Sequence, residues 1–195
     1  MTSTTAETTW ARRITDGLEP KNWILGVTVL FGARVDGLAG VAWGLFGALF
    51  AAVIPILFIT YGMKRGRWAD RHVGVKQHRL IVGAFIIASV ATGIVLMAVL
   101  GAPRPMIALI ASMLTTLAVL MAITIVWKVS VHAAVSSGSV ILLTIVYGPW
   151  MLALYPLVAI VSWSRVELRD HTKGQVLVGT ILGAVVAGAT YLALR

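Results

Sequence analysis

The chain contains no cysteine, which excludes disulfides, thiol catalysis and any cysteine-ligated metal or cluster. Charge is scarce as well. Only 12% of the 195 residues are Asp, Glu, Lys or Arg, about half of the ~25% usual in a soluble domain. No polar stretch is long enough to bury a core, so a separate soluble domain is excluded. Acidic residues are the rarer sign, 7 against 16 Lys and Arg, and the net charge is +9. In a soluble protein that excess would suggest nucleic acid. In a chain this apolar it points to anionic membrane lipids or a phosphorylated substrate, and no nucleic-acid partner is expected. The first twenty residues are polar and Thr-rich and lack the apolar core of a signal peptide. Residues 1–21 therefore read as a polar N-terminal segment, in which Trp10, Arg12 and Arg13 begin a short interfacial helix before Pro20.

What the chain has in quantity is hydrophobic residues, 59% of the total, gathered in runs near twenty. Those runs predict an all-α, polytopic helical bundle in the cell membrane, with residues 22–195 as one transmembrane domain. The spans fall at Leu38–Met63, Leu80–Ala102, Met106–Trp127, Val131–Gly148, Pro149–Trp163 and Val176–Leu194. Asn22–Ala33 is a short candidate for a further first span. Pro55 lies inside the Leu38–Met63 run, where a neighbouring helix must satisfy the carbonyl that proline frees. Pro149–Trp163 falls short of a ~30 Å hydrocarbon core at 1.5 Å per residue. Gly179 and Gly183 form a GxxxG face, suited to packing within the chain or between copies, so the oligomeric state stays open.

Three polar clusters interrupt the apolar runs. The first follows the Leu38–Met63 span and reads Lys64-Arg-Gly-Arg-Trp68-Ala-Asp70-Arg71-His72. The second is Val129-Ser130-Val131-His132-Ala133-Ala134, at the head of a span. The third is Ser164-Arg165-Val-Glu167-Leu-Arg169-Asp170-His171-Thr-Lys173-Gly-Gln175. An even number of spans separates each cluster from the next, so all three face the same side. Cations gathered around histidines at a membrane border suit a phosphate group.

Together the clusters resemble the three motifs of the type-2 phosphatidic acid phosphatase superfamily. Lys64 and Arg71 have the spacing of the first, with His72 where the family has proline. Ser130-Val131-His132-Ala133-Ala134 is similar to the second, with Val129 for proline and Val131 for glycine. Ser164-Arg165, five residues and His171 match the third, with Gln175 where the family has Asp. The matched motifs cover some thirty residues between Lys64 and Gln175. The resemblance implies a metal-independent phosphatase, with no cofactor, acting on a lipid or isoprenoid (polyprenyl) phosphate or diphosphate. His171 would be the nucleophile that becomes a phosphohistidine, and His132 the general acid. Lys64, Arg71, Ser130 and Arg165 would bind the phosphoryl oxygens. Gln175 would orient the nucleophile but brings no charge, so that Asp170, Glu167 or Asp70 could take over that role. The chemistry is coherent, since fixed cations and N–H donors stabilise a phosphoryl group in transfer and two imidazoles can serve as nucleophile and acid.

A plainer reading stands beside this one. Cations at membrane borders commonly set topology or meet head groups, and Trp68, Trp127 and Trp163 suit interfacial anchors. A non-catalytic relative that binds anionic lipids is therefore the alternative, which the missing aspartate keeps open. Of the 16 Lys and Arg, all but Arg34, Arg104 and Arg195 fall on the clustered side if the first segment spans. The positive-inside rule then makes that side cytoplasmic. The tail of such a substrate would enter laterally between helices.

Overall fold

A computed structural model describes residues 2–67 and 76–195. Trp68, Asp70, Arg71 and His72 lie outside the described residues. All regular structure among the described residues is helical: α1 Thr2–Gly17, α2 Pro20–Ala48, α3 Ile54–Lys64, α4 Lys76–Val99, α5 Arg104–Thr124, α6 Val131–Tyr147, α7 Tyr155–Glu167 and α8 Lys173–Leu194. Five stretches are long and apolar enough to cross a membrane, and the chain is a multi-pass helical membrane protein.

The longest of these stretches, Thr8–Lys64, is not one rod. Asp36 (φ −148, ψ 31) and Gly37 (φ 54, ψ −133) break α2, and the two arms fold back on each other. A Cβ built on Gly32 would lie 2.0 Å from the Gly40 carbonyl oxygen, and one on Gly44 would lie 2.3 Å from that of Thr28. In an unbroken helix residues eight apart are about 12 Å apart, so these contacts require an antiparallel hairpin. Its interface is bare backbone, which only glycine permits. The segment Asn22–Ala33 therefore lies inside the first arm, between Glu19 and the bend at residues 36–37.

The second arm continues through a π-helical turn, Leu49–Val53, into α3. Pro55 explains the turn, because it has no N–H to give to the carbonyl five residues back. That carbonyl belongs to Phe50, and the Ser89 hydroxyl of α4 donates to it at 2.8 Å. The neighbour expected from the sequence is thus present and named. Stacked rings of Phe58 and Phe85, 3.8 Å apart, hold α3 against α4 one level further along.

The Pro149–Trp163 segment reaches further than its residue count suggests. Pro149–Leu154 is a 3₁₀ helix, which rises about 2.0 Å per residue, and α7 continues to Glu167. Together they extend for roughly 30 Å, the thickness of a hydrocarbon core.

Helices α6 and α8 form the centre of the bundle. Cβ atoms built on Gly179 and Gly183 would meet the carbonyl oxygens of Ser130 at 2.6 Å and Ala134 at 2.0 Å, and one on Gly138 would lie 3.2 Å from the Ala187 Cβ. The register offset is constant, so the helices run parallel and their N-termini end at the same level. The GxxxG face is buried inside the molecule against the small residues of α6. The N-terminal segment is packed against the bundle too. Ala11 and Thr15 of α1 are fully buried, and the Thr15 and Ser164 hydroxyls share a buried hydrogen bond of 2.9 Å.

Candidate phosphate site

The site lies where the N-termini of α6 and α8 meet the C-terminus of α7. Ser130 caps α6, its hydroxyl accepting from the Ala133 N–H at 3.4 Å. The Ser130 N–H donates to the Gln175 carbonyl at 3.3 Å, which ties the second cluster to the third. Thr172 caps α8 in a reciprocal capping box: its hydroxyl accepts from the Gln175 N–H and its own N–H donates to Gln175 Oε1.

The end of α7 brings the third cluster back upon itself. Arg169 takes the left-handed backbone at φ 56. The N–H of Asp170 reaches the Arg165 carbonyl at 3.1 Å and that of Arg169 reaches Val166 at 2.9 Å, which is the Schellman pattern. The chain turns sharply enough for the Asp170 carboxylate to meet the Arg165 guanidinium at 2.9 Å, and His171 follows at once.

Gln175 occupies a well-defined position. Its Oε1 accepts the Thr172 N–H at 3.2 Å, which fixes that atom as the oxygen, and the same atom lies 3.2 Å from His171 Nδ1. Two acceptors cannot share that contact, so Nδ1 carries the proton and Nε2 presents its lone pair. Burial above all, then Lys128 and Arg165, push the His171 imidazole down to about 4, against a smaller opposing effect of Gln175 and Asp170. His171 is neutral at neutral pH.

His132, Arg165, Asp170 and His171 line one cavity of about 370 Å³, and Lys128, Glu19 and Lys21 line it with them. The remainder of the wall is largely apolar, including Pro55, Ile59, Val82, Ile86, Leu120 and Met121. Arg165 is 3% exposed, and its Nε and Nη1 have no hydrogen-bond partner among the described residues. A guanidinium taken out of water at that cost wants an acceptor on each edge.

Of the site residues proposed from the sequence, four line the cavity: His132, His171, Arg165 and Asp170. Ser130 and Gln175 stand behind them, the first as a helix cap and the second as the partner of His171. Lys64 is exposed in the last turn of α3 and is not among the cavity-lining residues. Arg71 lies outside the described residues. The charged cavity-lining residues that motif spacing overlooked are Lys128, Glu19 and Lys21. Lys128 offered one signal, a cation two positions ahead of the Ser130 cap. Glu19, next to Pro20 and 5% exposed, offered none. Glu19 and Lys21 pair at 2.6 Å.

No family model, curated protein or solved structure matches the chain. The likeness to the phosphatase superfamily rests on the three motifs alone.

Proposed function

We propose that the protein is a metal-independent phosphatase of the type-2 phosphatidic acid phosphatase kind, acting on a lipid or isoprenoid phosphate or diphosphate. The observation that carries this reading is Arg165: a buried guanidinium with two nitrogens unpartnered among the described residues, in a cavity that holds two histidines and is otherwise largely apolar. That combination suits an amphiphilic anion with its phosphate at the polar end and its tail along Ile59, Val82, Ile86 and Met121.

In the proposed reaction the neutral His171 Nε2 attacks phosphorus. A P–N bond forms, the bond from phosphorus to the leaving oxygen breaks, and His132 gives that oxygen a proton. Positive charge on the phosphorylated His171 is offset through Nδ1–H donating to Gln175 Oε1. Water then attacks phosphorus, His132 takes its proton, and the P–N bond breaks to release phosphate and regenerate neutral His171. Arg165 and the N–H groups opening α6 stabilise the equatorial oxygens in both steps.

The same reading puts the protein in the cell membrane with the site on the cytoplasmic side, supported by the excess of Lys and Arg at the site end. Reporters fused at the C terminus and in the 64–79 loop test the orientation; a loop reporter active only outside the cell would overturn it. Activity is tested by phosphate release from farnesyl diphosphate, a polyprenyl phosphate and phosphatidic acid, using purified protein in detergent with EDTA. Release that persists in EDTA and falls at least a thousandfold in His171→Ala is expected. No release from any of the three by folded protein would favour the non-catalytic lipid-binding reading instead.

A further inference from the structure

The cation that the family motif would supply from Lys64 is off the cavity wall, while a different cation stands on it. Lys128 belongs to the short connection between α5 and α6. It lines the cavity with His132, His171 and Arg165, and its side chain is half-buried. Its Nζ donates to the Asp170 carbonyl, so the ammonium is held at the turn that carries the Arg165 partner and His171. Its charge acts on the His171 ring strongly enough to rank directly after burial among the causes that keep the ring neutral.

We propose that Lys128 is a substrate-binding residue of this protein, the ammonium that, with Arg165, takes the phosphoryl oxygens of an amphiphilic phosphate. The proposal rests on the phosphate-site reading above. The bond to the Asp170 carbonyl anchors the ammonium on the same cavity wall as Arg165 and His171. Arg165 approaches from the end of α7 and Lys128 from the head of α6, so two cations on different elements close on one anion. This pairing also accounts for the Asp170 contact. Asp170 pairs with Arg165 through its carboxylate and with Lys128 through its carbonyl, which keeps the two like charges in place before an anion arrives.

The test separates charge from support. Lys128→Gln keeps a donor for the Asp170 carbonyl and loses the charge; Lys128→Arg keeps both. Binding of farnesyl phosphate to full-length protein in detergent is measured by titration calorimetry, with phosphate release followed in parallel. Lys128→Gln is expected to weaken binding by about tenfold to a hundredfold, a loss within the range of one charge-assisted contact. Lys128→Arg should recover most of that loss, and Lys64→Gln should lose less than Lys128→Gln. The acid midpoint of the His171 ring should also move upward in Lys128→Gln, a change that a purely mechanical strut would not cause. Unchanged binding in Lys128→Gln, or a larger loss in Lys64→Gln, would overturn the proposal, as would wild-type protein that binds no farnesyl phosphate. Lys128-dependent binding without any phosphate release would uphold Lys128 as the anion-binding cation and overturn the phosphatase reading alone.

Discussion

Arg169 holds a backbone conformation, φ 56, that costs an L-residue about 1–2 kcal/mol. Its side chain is exposed, so glycine there removes the strain with little loss of packing. Arg169→Gly is expected to raise the thermal midpoint in detergent by about 2–4 °C; a lower midpoint would show that the arginine side chain supports the turn. His171 carries the second expectation at this scale. Its ring charges at about 4 in the folded protein, against about 6.5 in an unfolded chain. As pH falls below 6.5 the unfolded chain binds this proton first, so the folded state loses stability until about pH 4. The loss is at most about 3 kcal/mol. Histidine ring resonances followed from pH 8 to pH 3.5 should show one ring titrating near 4. In Gln175→Asp that midpoint should rise, because a carboxylate favours the charged imidazole. A His171 midpoint of 6.5 or above in the wild type would contradict the burial described for it.

At the scale of elements, the pairing of α6 with α8 is what aligns the two histidine-bearing N-termini. A methyl group at Gly183 would sit 2.0 Å from the Ala134 carbonyl oxygen. Gly183→Ala should therefore destabilise the protein by roughly 1–3 kcal/mol or more and lower activity with it. Gly26→Ala has open space around the new methyl and should leave stability level or slightly raised, as alanine does in a helix. A stable, active Gly183→Ala would contradict the register of this pair. The hydrogen bond from Ser89 to Phe50 gives a second check. Ser89→Ala should cost about 1–2 kcal/mol by stranding a carbonyl, and less in a Pro55→Ala background, where the helix can supply its own donor.

The spans were legible because apolar runs near twenty residues leave little choice of structure, and Gly179 and Gly183 already named a packing face. Its occupant, α6, was not legible, since Ser130, Ala134 and Gly138 have a small-residue spacing that many helices share. The fold-back of α2 was equally hidden, because Gly32, Gly40 and Gly44 become an interface only once Asp36 and Gly37 break the helix. The Schellman turn was masked by an arginine at the position where glycine is the usual signal.

For the whole molecule, the consequence of this packing is a cavity with one polar end and an otherwise largely apolar wall. Motif spacing found His132, Arg165, Asp170 and His171, because those residues lie at helix ends that the bundle brings together. It could not find Glu19, Lys21 or Lys128, whose presence at the cavity depends on how α2 and the connection between α5 and α6 pack. Nor could spacing tell that Lys64 would stand exposed. The N-terminal helix joins the site through the bond from Thr15 to Ser164, next to Arg165. Thr15→Val should therefore weaken farnesyl phosphate binding about threefold to tenfold while the bundle still folds, as judged by an unchanged elution profile in detergent.

In the proposed reaction His171 Nε2 attacks phosphorus. That step is tested most directly by incubating His132→Ala with a prenyl diphosphate, whose monophosphate leaving group needs little help from an acid. The reaction is quenched in alkaline denaturant and the peptide containing His171 is examined by mass spectrometry. The expected result is an acid-labile, base-stable phosphate on His171 that accumulates because the base for its hydrolysis is missing, and that is absent from His171→Ala. Phosphate release with no phosphorylated His171, or with the label on another residue, would contradict it.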